Sequence, residues 1–305
     1  MVHTDIVKKI QELKARKNVI ILVHNYQLPE VQDIADFLGD SLDLSRKAAE
    51  AEEDVIVFCG VHFMAETAAI LSPSKTVLIP DPSAGCPMAD MLDVPRLREL
   101  KKKHPEAVVV TYVNSTADVK AESDICCTSA NAEKIVRNLD VKEIIFGPDK
   151  YLGGYVARQT GKNLILWQGY CIVHMRILPE DIKKMKNKHP NAEVLVHPEC
   201  TAEVVNLADN VLSTTGMCRH VKESASEEFI IGTEVDIIYR LQKENPCKKF
   251  YPATELSVCH NMKKISLDKV LRSLETMSHV VKVEERIRER AKKAIDKMLE
   301  YSRAD

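Results

Sequence analysis

The chain alternates between short, unbroken apolar runs and amphipathic stretches whose apolar residues recur every three or four positions. Val19-Ile-Ile-Leu-Val23, Val55-Ile-Val-Phe58, Val108-Val-Val110, Ile144-Ile-Phe146, Val194-Leu-Val196 and Phe229-Ile-Ile231 show no polar face. Strands of that kind belong to parallel sheets covered by helices on both sides, whereas a half-exposed strand would alternate. The segments 5–17, 94–104 and 179–189 read as helices. Asp5 and Asp93 are candidate N-caps, Pro95 fits a first turn, and Lys-His-Pro closes the last two. Strand and helix alternate along the chain, which predicts an α/β fold.

The pattern is also periodic. Three stretches, Val19 to Ser41, Val108 to Ser129 and Val194 to Thr214, each read as strand, helix and short second strand ending in a hydroxyl residue. Asp36, Asp124 and Asp209 stand 88 and 85 residues apart. In that register His24, Tyr112 and His197 coincide, as do Tyr26, Asn114 and Glu199, and again Ser41, Ser129 and Thr214. Third strands at 55–60, 143–147 and 228–232 each end in glycine. Helices at 63–71, 151–160 and 235–244 follow, then last strands at 76–80, 163–167 and 249–252. A few residues after each last strand stands one cysteine: Cys86, Cys171 and Cys259. The repetition predicts three pseudo-symmetric repeats, each a three-layer α/β/α unit with a small parallel sheet. Their bounds are residues 1–92, 93–177 and 178–263. Residues 264–305 have no counterpart and are expected to pack on the first unit.

Composition narrows the partners. A net charge of −2 without a basic stripe argues against nucleic acid. No apolar run approaches the roughly 18–20 residues of a membrane span, and the first 17 residues read as a charged helix, not a signal peptide. The cytoplasm is the expected compartment. There, nine cysteines with no C-x-x-C pair do not form a disulfide framework. Cys59 and Cys126 read as small core residues; Cys127, Cys200, Cys218 and Cys247 have no repeat partners.

In open parallel sheets, ligands bind at the carboxyl ends of the strands. His24 and Tyr26, Tyr112 and Asn114, and His197 and Glu199 all fall there. Ser41, Ser129, Ser213 and Thr214 close the second strands, and Ser41, Ser129 and Thr214 could N-cap the helices that follow. Helix N-termini expose unpaired N–H groups that suit phosphate or carboxylate. Units meeting about a threefold axis would therefore frame a cavity for a small polyanion. There is no Walker loop and no G-x-G-x-x-G. Three thiols on that axis suit a soft metal centre. Zinc would need a fourth ligand from His174 or His260, neither of which recurs. A [4Fe–4S] cluster on three cysteines leaves one iron open as a Lewis acid. One alternative such a cavity leaves open is a metal-dependent lyase or hydratase that uses the open iron on a hydroxy acid; a redox or iron sensor would have no use for His, Tyr and Glu converging in it.

The motifs themselves are specific. His24-Asn-Tyr-Gln27, Gly39-Asp-Ser41, Gly85-Cys-Pro-Met88, Tyr112-Val-Asn-Ser-Thr116, Cys127-Thr-Ser-Ala-Asn131, Phe146-Gly-Pro-Asp149, Val196-His-Pro-Glu-Cys200 and Asn261-Met-Lys-Lys264 closely resemble the quinolinate synthase family, over essentially the whole chain. The resemblance implies a triangle of three units around an oxygen-sensitive [4Fe–4S] cluster on Cys86, Cys171 and Cys259. It implies condensation of iminoaspartate with dihydroxyacetone phosphate to quinolinate, phosphate and water in NAD biosynthesis. An enzyme that supplies iminoaspartate is the protein partner this chemistry suggests. In this reading Glu199 shuttles protons with Tyr26 as its partner, and His197 assists. His24, Ser41, Tyr112, Asn114, Ser129, Ser213 and Thr214 bind substrate. The loop from Asp81 to Met91 is the expected lid.

Overall fold

In the computed structural model, which describes residues 2–303, each apolar run becomes a buried parallel strand. The first sheet holds β1 (Val19–His24), β2 (Phe37–Gly39), β3 (Val55–Cys59) and β4 (Thr76–Leu78). The second holds β5 (Val108–Tyr112), β6 (Ile125–Cys127), β7 (Ile144–Gly147) and β8 (Leu164–Leu166). The third holds β9 (Glu193–Val196), β10 (Asn210–Val211), β11 (Glu228–Gly232) and β12 (Lys249–Pro252). All three share one strand order: β2-β1-β3-β4, β6-β5-β7-β8 and β10-β9-β11-β12. Helices connect the strands throughout, so the fold is α/β with three similar units. The opening helix runs over Val2–Arg16, so Asp5 lies in its first turn and is not its cap.

The aspartates that set the register of the repeat have one structural job. Asp36 accepts the Ile21 N–H at 2.8 Å, Asp124 the Val109 N–H at 2.8 Å, and Asp209 the Val194 N–H at 2.7 Å. In each case the aspartate's own N–H returns a bond to the carbonyl of the same strand residue. This two-bond clasp fixes where the chain leaves the short helix and re-enters the sheet. It thereby fixes which side chains stand past the end of the first strand.

The first two units share one continuous apolar core with the C-terminal helices. The helix Leu267–Thr276 packs on Val2–Arg16 and β3. The helix Glu285–Arg303 instead lies mainly along Ala117–Ala121 and β6 of the second unit. The tail thus bridges two units. The third unit keeps its own apolar clusters on the two sides of its sheet. It joins the first through polar contacts: Arg240 donates to Asn25 Oδ1 and to the Leu38 carbonyl, and Tyr239 donates to Asp33.

Candidate active site

The carboxyl ends of β1, β5 and β9 face one cavity. The first unit lines it with His24, Tyr26 and Ser41, the second with Tyr112, Asn114 and Ser129, and the third with His197, Glu199 and Thr214. Cys86, Cys171 and Cys259 line it too. The threefold equivalence read from sequence is therefore a convergence in space.

The hydroxyl residues are placed differently from a simple capping scheme. Asp40 caps the helix Ser41–Glu50, accepting the N–H groups of Leu42 at 2.9 Å and Asp43 at 3.1 Å. Ser213 caps Thr214–Glu223 by accepting the Gly216 N–H at 3.2 Å. Ser41 and Thr214 are therefore the first helical residues, and their side chains stay on the cavity wall. Ser129 lies in the turn before Ala132–Asn138, whose N-cap position is Asn131. Ser213 does not line the cavity; its Oγ donates to Asp40 Oδ2 at 3.1 Å and ties the third unit to the first. Each of these caps costs about 1 kcal/mol to remove in general, enough to hold the helix ends in place.

At the centre lies Glu199, only 3% exposed. Tyr112 Oη donates to its Oε1 at 2.6 Å. His174 Nδ1 stands 2.8 Å from Oε2, too oblique for an aligned hydrogen bond. The other His174 nitrogen, Nε2, bonds Thr233 Oγ1 at 2.8 Å, and Thr233 Oγ1 bonds Tyr26 Oη. A chain of polar contacts thus runs Tyr26–Thr233–His174–Glu199–Tyr112. The direct phenol partner of Glu199 is Tyr112, and Tyr26 reaches it through two intermediaries. His197 stacks on His174 with ring centroids 4.7 Å apart, and its Nε2 meets Ser129 Oγ at 3.1 Å.

Burial alone would raise the Glu199 carboxyl, but His174, His197 and the Tyr112 hydroxyl outweigh it and hold it well below the usual carboxylate range. Burial drives His24 and His197 down to about 3, so both rings are neutral near neutral pH. Burial first, and then the Glu199 charge, raises Tyr26 and Tyr112. The result is a buried anion flanked by phenols that keep their protons.

His174 and Thr233 escaped the symmetry argument because it selects recurring residues. The positions equivalent to Thr233 hold Pro148 and Val61, and those equivalent to His174 hold Ala89 and Met262. The available signal was local: Thr233 directly follows the glycine ending β11.

Each cysteine precedes a 3₁₀ turn, namely Ala89–Met91, His174–Arg176 and Met262–Lys264. Backbone N–H groups two and three residues on point at each sulfur: Met88 and Ala89, Val173 and His174, Asn261 and Met262. Burial pushes the Cys86 thiol up to about 12 and raises the other two, while these donors pull the opposite way. Desolvated sulfurs with N–H donors aimed at them suit thiolates bound to a cation, because the metal supplies the charge that burial withholds. Three such thiols on one cavity wall are compatible with metal binding. Cys171 Sγ, a His174 nitrogen and a Glu199 oxygen also lie within 4.8 Å of one another, a second donor set of a different kind. Cys59, Cys126, Cys127, Cys200 and Cys218 are buried, and Cys247 is exposed; none of these six lines the cavity.

Gly169 makes the Cys171 loop possible. A Cβ there would sit 2.4 Å from the Pro148 carbonyl oxygen, and the Gly169 carbonyl accepts the Lys150 N–H at 2.9 Å. Gly169→Ala should push the loop off β7, displace Cys171 and weaken any metal binding there. The accompanying stability loss should be about 1–3 kcal/mol, the usual scale for overpacking. Metal content and thermal melting would check this.

Comparison with known proteins agrees with this geometry. The family model described as Quinolinate synthetase A protein matches residues 8–300. Quinolinate synthase 1 of Methanosarcina acetivorans is 57% identical over 299 residues, covering 98% of each chain. Quinolinate synthase of Dehalococcoides mccartyi (strain CBDB1) is 58% identical over 291 residues, 95% of this chain and 96% of the relative. Quinolinate synthase of Geobacter sp. (strain M21) is 55% identical over 294 residues, 96% and 97% of the two chains. With the cavity, its cysteines and nearly the full length all inside these matches, the chain belongs to the quinolinate synthetase A family.

Proposed function

We propose that this protein condenses iminoaspartate with dihydroxyacetone phosphate, releasing quinolinate, phosphate and water, as a step of NAD biosynthesis in the cytoplasm. The observation that carries the reading is the meeting of three cysteines and the Tyr26–Thr233–His174–Glu199–Tyr112 chain on one cavity. Cys86, Cys171 and Cys259 would hold a [4Fe–4S] cluster. Such a cluster supplies an open iron that acts as a Lewis acid on a substrate oxygen.

The chain's own residues do the rest. Ser41, Ser129 and Thr214, on the cavity wall, offer their hydroxyls to the phosphate and carboxylates. Neutral His24 and His197, with Asn114, offer further hydrogen bonds without the cost of a buried charge. Glu199, held ionised, takes a proton from the substrate at its carboxylate. The Tyr112 Oη–H, or Tyr26 through Thr233 and His174, returns one to the leaving oxygen. The low exposure of these groups keeps water away while the ring closes.

The test is to give anaerobically reconstituted protein dihydroxyacetone phosphate and iminoaspartate generated in place, and to measure quinolinate and phosphate. Equimolar release of both is expected. Brown, iron-loaded protein that makes neither, yet dehydrates another hydroxy acid, would overturn the substrate assignment in favour of a different lyase.

A further inference from the structure

The threefold pattern breaks four residues beyond each cysteine, where the chain has Asp90, Met175 and Lys263. Lys263 is 14% exposed, and its Nζ lies 2.8 Å from Glu234 Oε1. The same ammonium contacts the Asp236 carboxylate and donates to the Tyr26 carbonyl oxygen. Glu234 is wholly buried. Its Oε1 accepts the Cys259 N–H at 3.0 Å, and its Oε2 accepts the Asp236 N–H at 3.0 Å. One partly buried cation and one buried carboxylate therefore connect the backbone at Cys259, in the third unit, to the backbone at Tyr26, in the first. The carboxylate half recurs at Cys171, whose N–H Asp149 accepts, but Asp90 and Met175, the counterparts of Lys263, carry no cation. Buried ion pairs add little net stability, because desolvation offsets much of their attraction. A pair in the third unit that touches the Cys259 amide and, across the boundary, the Tyr26 carbonyl is better explained by the geometry it enforces.

We propose that Lys263 and Glu234 are positioning residues, a clamp that sets Cys259 against Tyr26 across the boundary between the first and third units. The inference rests on the proposed roles of Cys259 as an iron ligand and Tyr26 as a substrate-facing group. The clamp acts on both at once: losing it shifts the sulfur relative to the phenol without removing either.

The test uses the reconstituted full-length enzyme with Lys263→Met, Lys263→Arg and Glu234→Gln. Methionine keeps length and packing but removes the donors, and glutamine keeps an acceptor for the Cys259 N–H. Lys263→Met should bind iron at the wild-type stoichiometry yet show an altered electron paramagnetic resonance spectrum after reduction with dithionite. Its kcat should fall by about tenfold or more, the scale expected of sub-ångström to 1 Å misplacement. Lys263→Arg should recover part of that loss, and Lys263→Met combined with Glu234→Gln should be no worse than the poorer single variant. A Lys263→Met enzyme with wild-type spectrum and kcat, or one that loses only melting temperature, overturns the clamp. Should Lys263→Met not fold, an unchanged spectrum and kcat in Glu234→Gln overturns it equally. Full iron retention in Cys259→Ala would instead refute the three-cysteine reading beneath it.

Discussion

Purified without oxygen, the Cys171→Ala variant should be colourless, hold no stoichiometric iron and make no product. Cys171 is the thiol that the second unit brings to the cavity, and the N–H groups of Val173 and His174 point at its sulfur. Alanine leaves those donors facing an empty position and reduces the proposed ligand set from three thiolates to two. The truncation itself should cost at most ~1–2 kcal/mol, well below a large-to-small core deletion. A melting curve therefore separates loss of metal from loss of fold. The parallel variants Cys86→Ala and Cys259→Ala sharpen the result. Under the three-thiolate reading each loses its iron as completely as Cys171→Ala. A single ion held by Cys171, His174 and Glu199 would survive both of those changes. A brown, active Cys171→Ala protein would remove that residue from the ligand set altogether.

Glu199→Gln should retain iron and colour but lose turnover by roughly 10²–10⁴, the contribution typical of a positioned acid–base group. Glutamine preserves the volume of the side chain and can still accept the Tyr112 Oη–H through its carbonyl oxygen. What it removes is the negative charge and the capacity to take a proton. The loss should fall on kcat, with little change in KM, because Ser41, Ser129 and Thr214 still stand on the cavity wall. Wild-type kcat in Glu199→Gln would show that proton transfer runs through another group.

The particular residues show how far the chain could be read. Unbroken apolar runs such as Val19-Ile-Ile-Leu-Val23 specify buried parallel strands because no face of them tolerates water. Asp36, Asp124 and Asp209 mark the register for a local reason: each bonds a strand residue 15 positions back. Once strand ends are fixed, the convergence of His24, Tyr112 and His197, and of the three cysteines, follows from the repeat. Capping was less legible, since Asp40 and Ser41, or Ser213 and Thr214, are adjacent and either could serve by residue type.

The sequence by itself determined the three similar units, their parallel sheets and the set of side chains delivered to strand ends, because those depend on periodic burial and local backbone bonds. Only the tertiary structure decided that Tyr112, 87 residues away, is the phenol bonded to Glu199, and that His174 and Thr233 connect it to Tyr26. It alone turned Ser213 onto Asp40 and laid the last helix along the second unit. The physical reason is common to these cases. Such contacts cross unit boundaries, and a difference of an ångström in how the units dock decides which of several chemically equivalent donors a carboxylate meets.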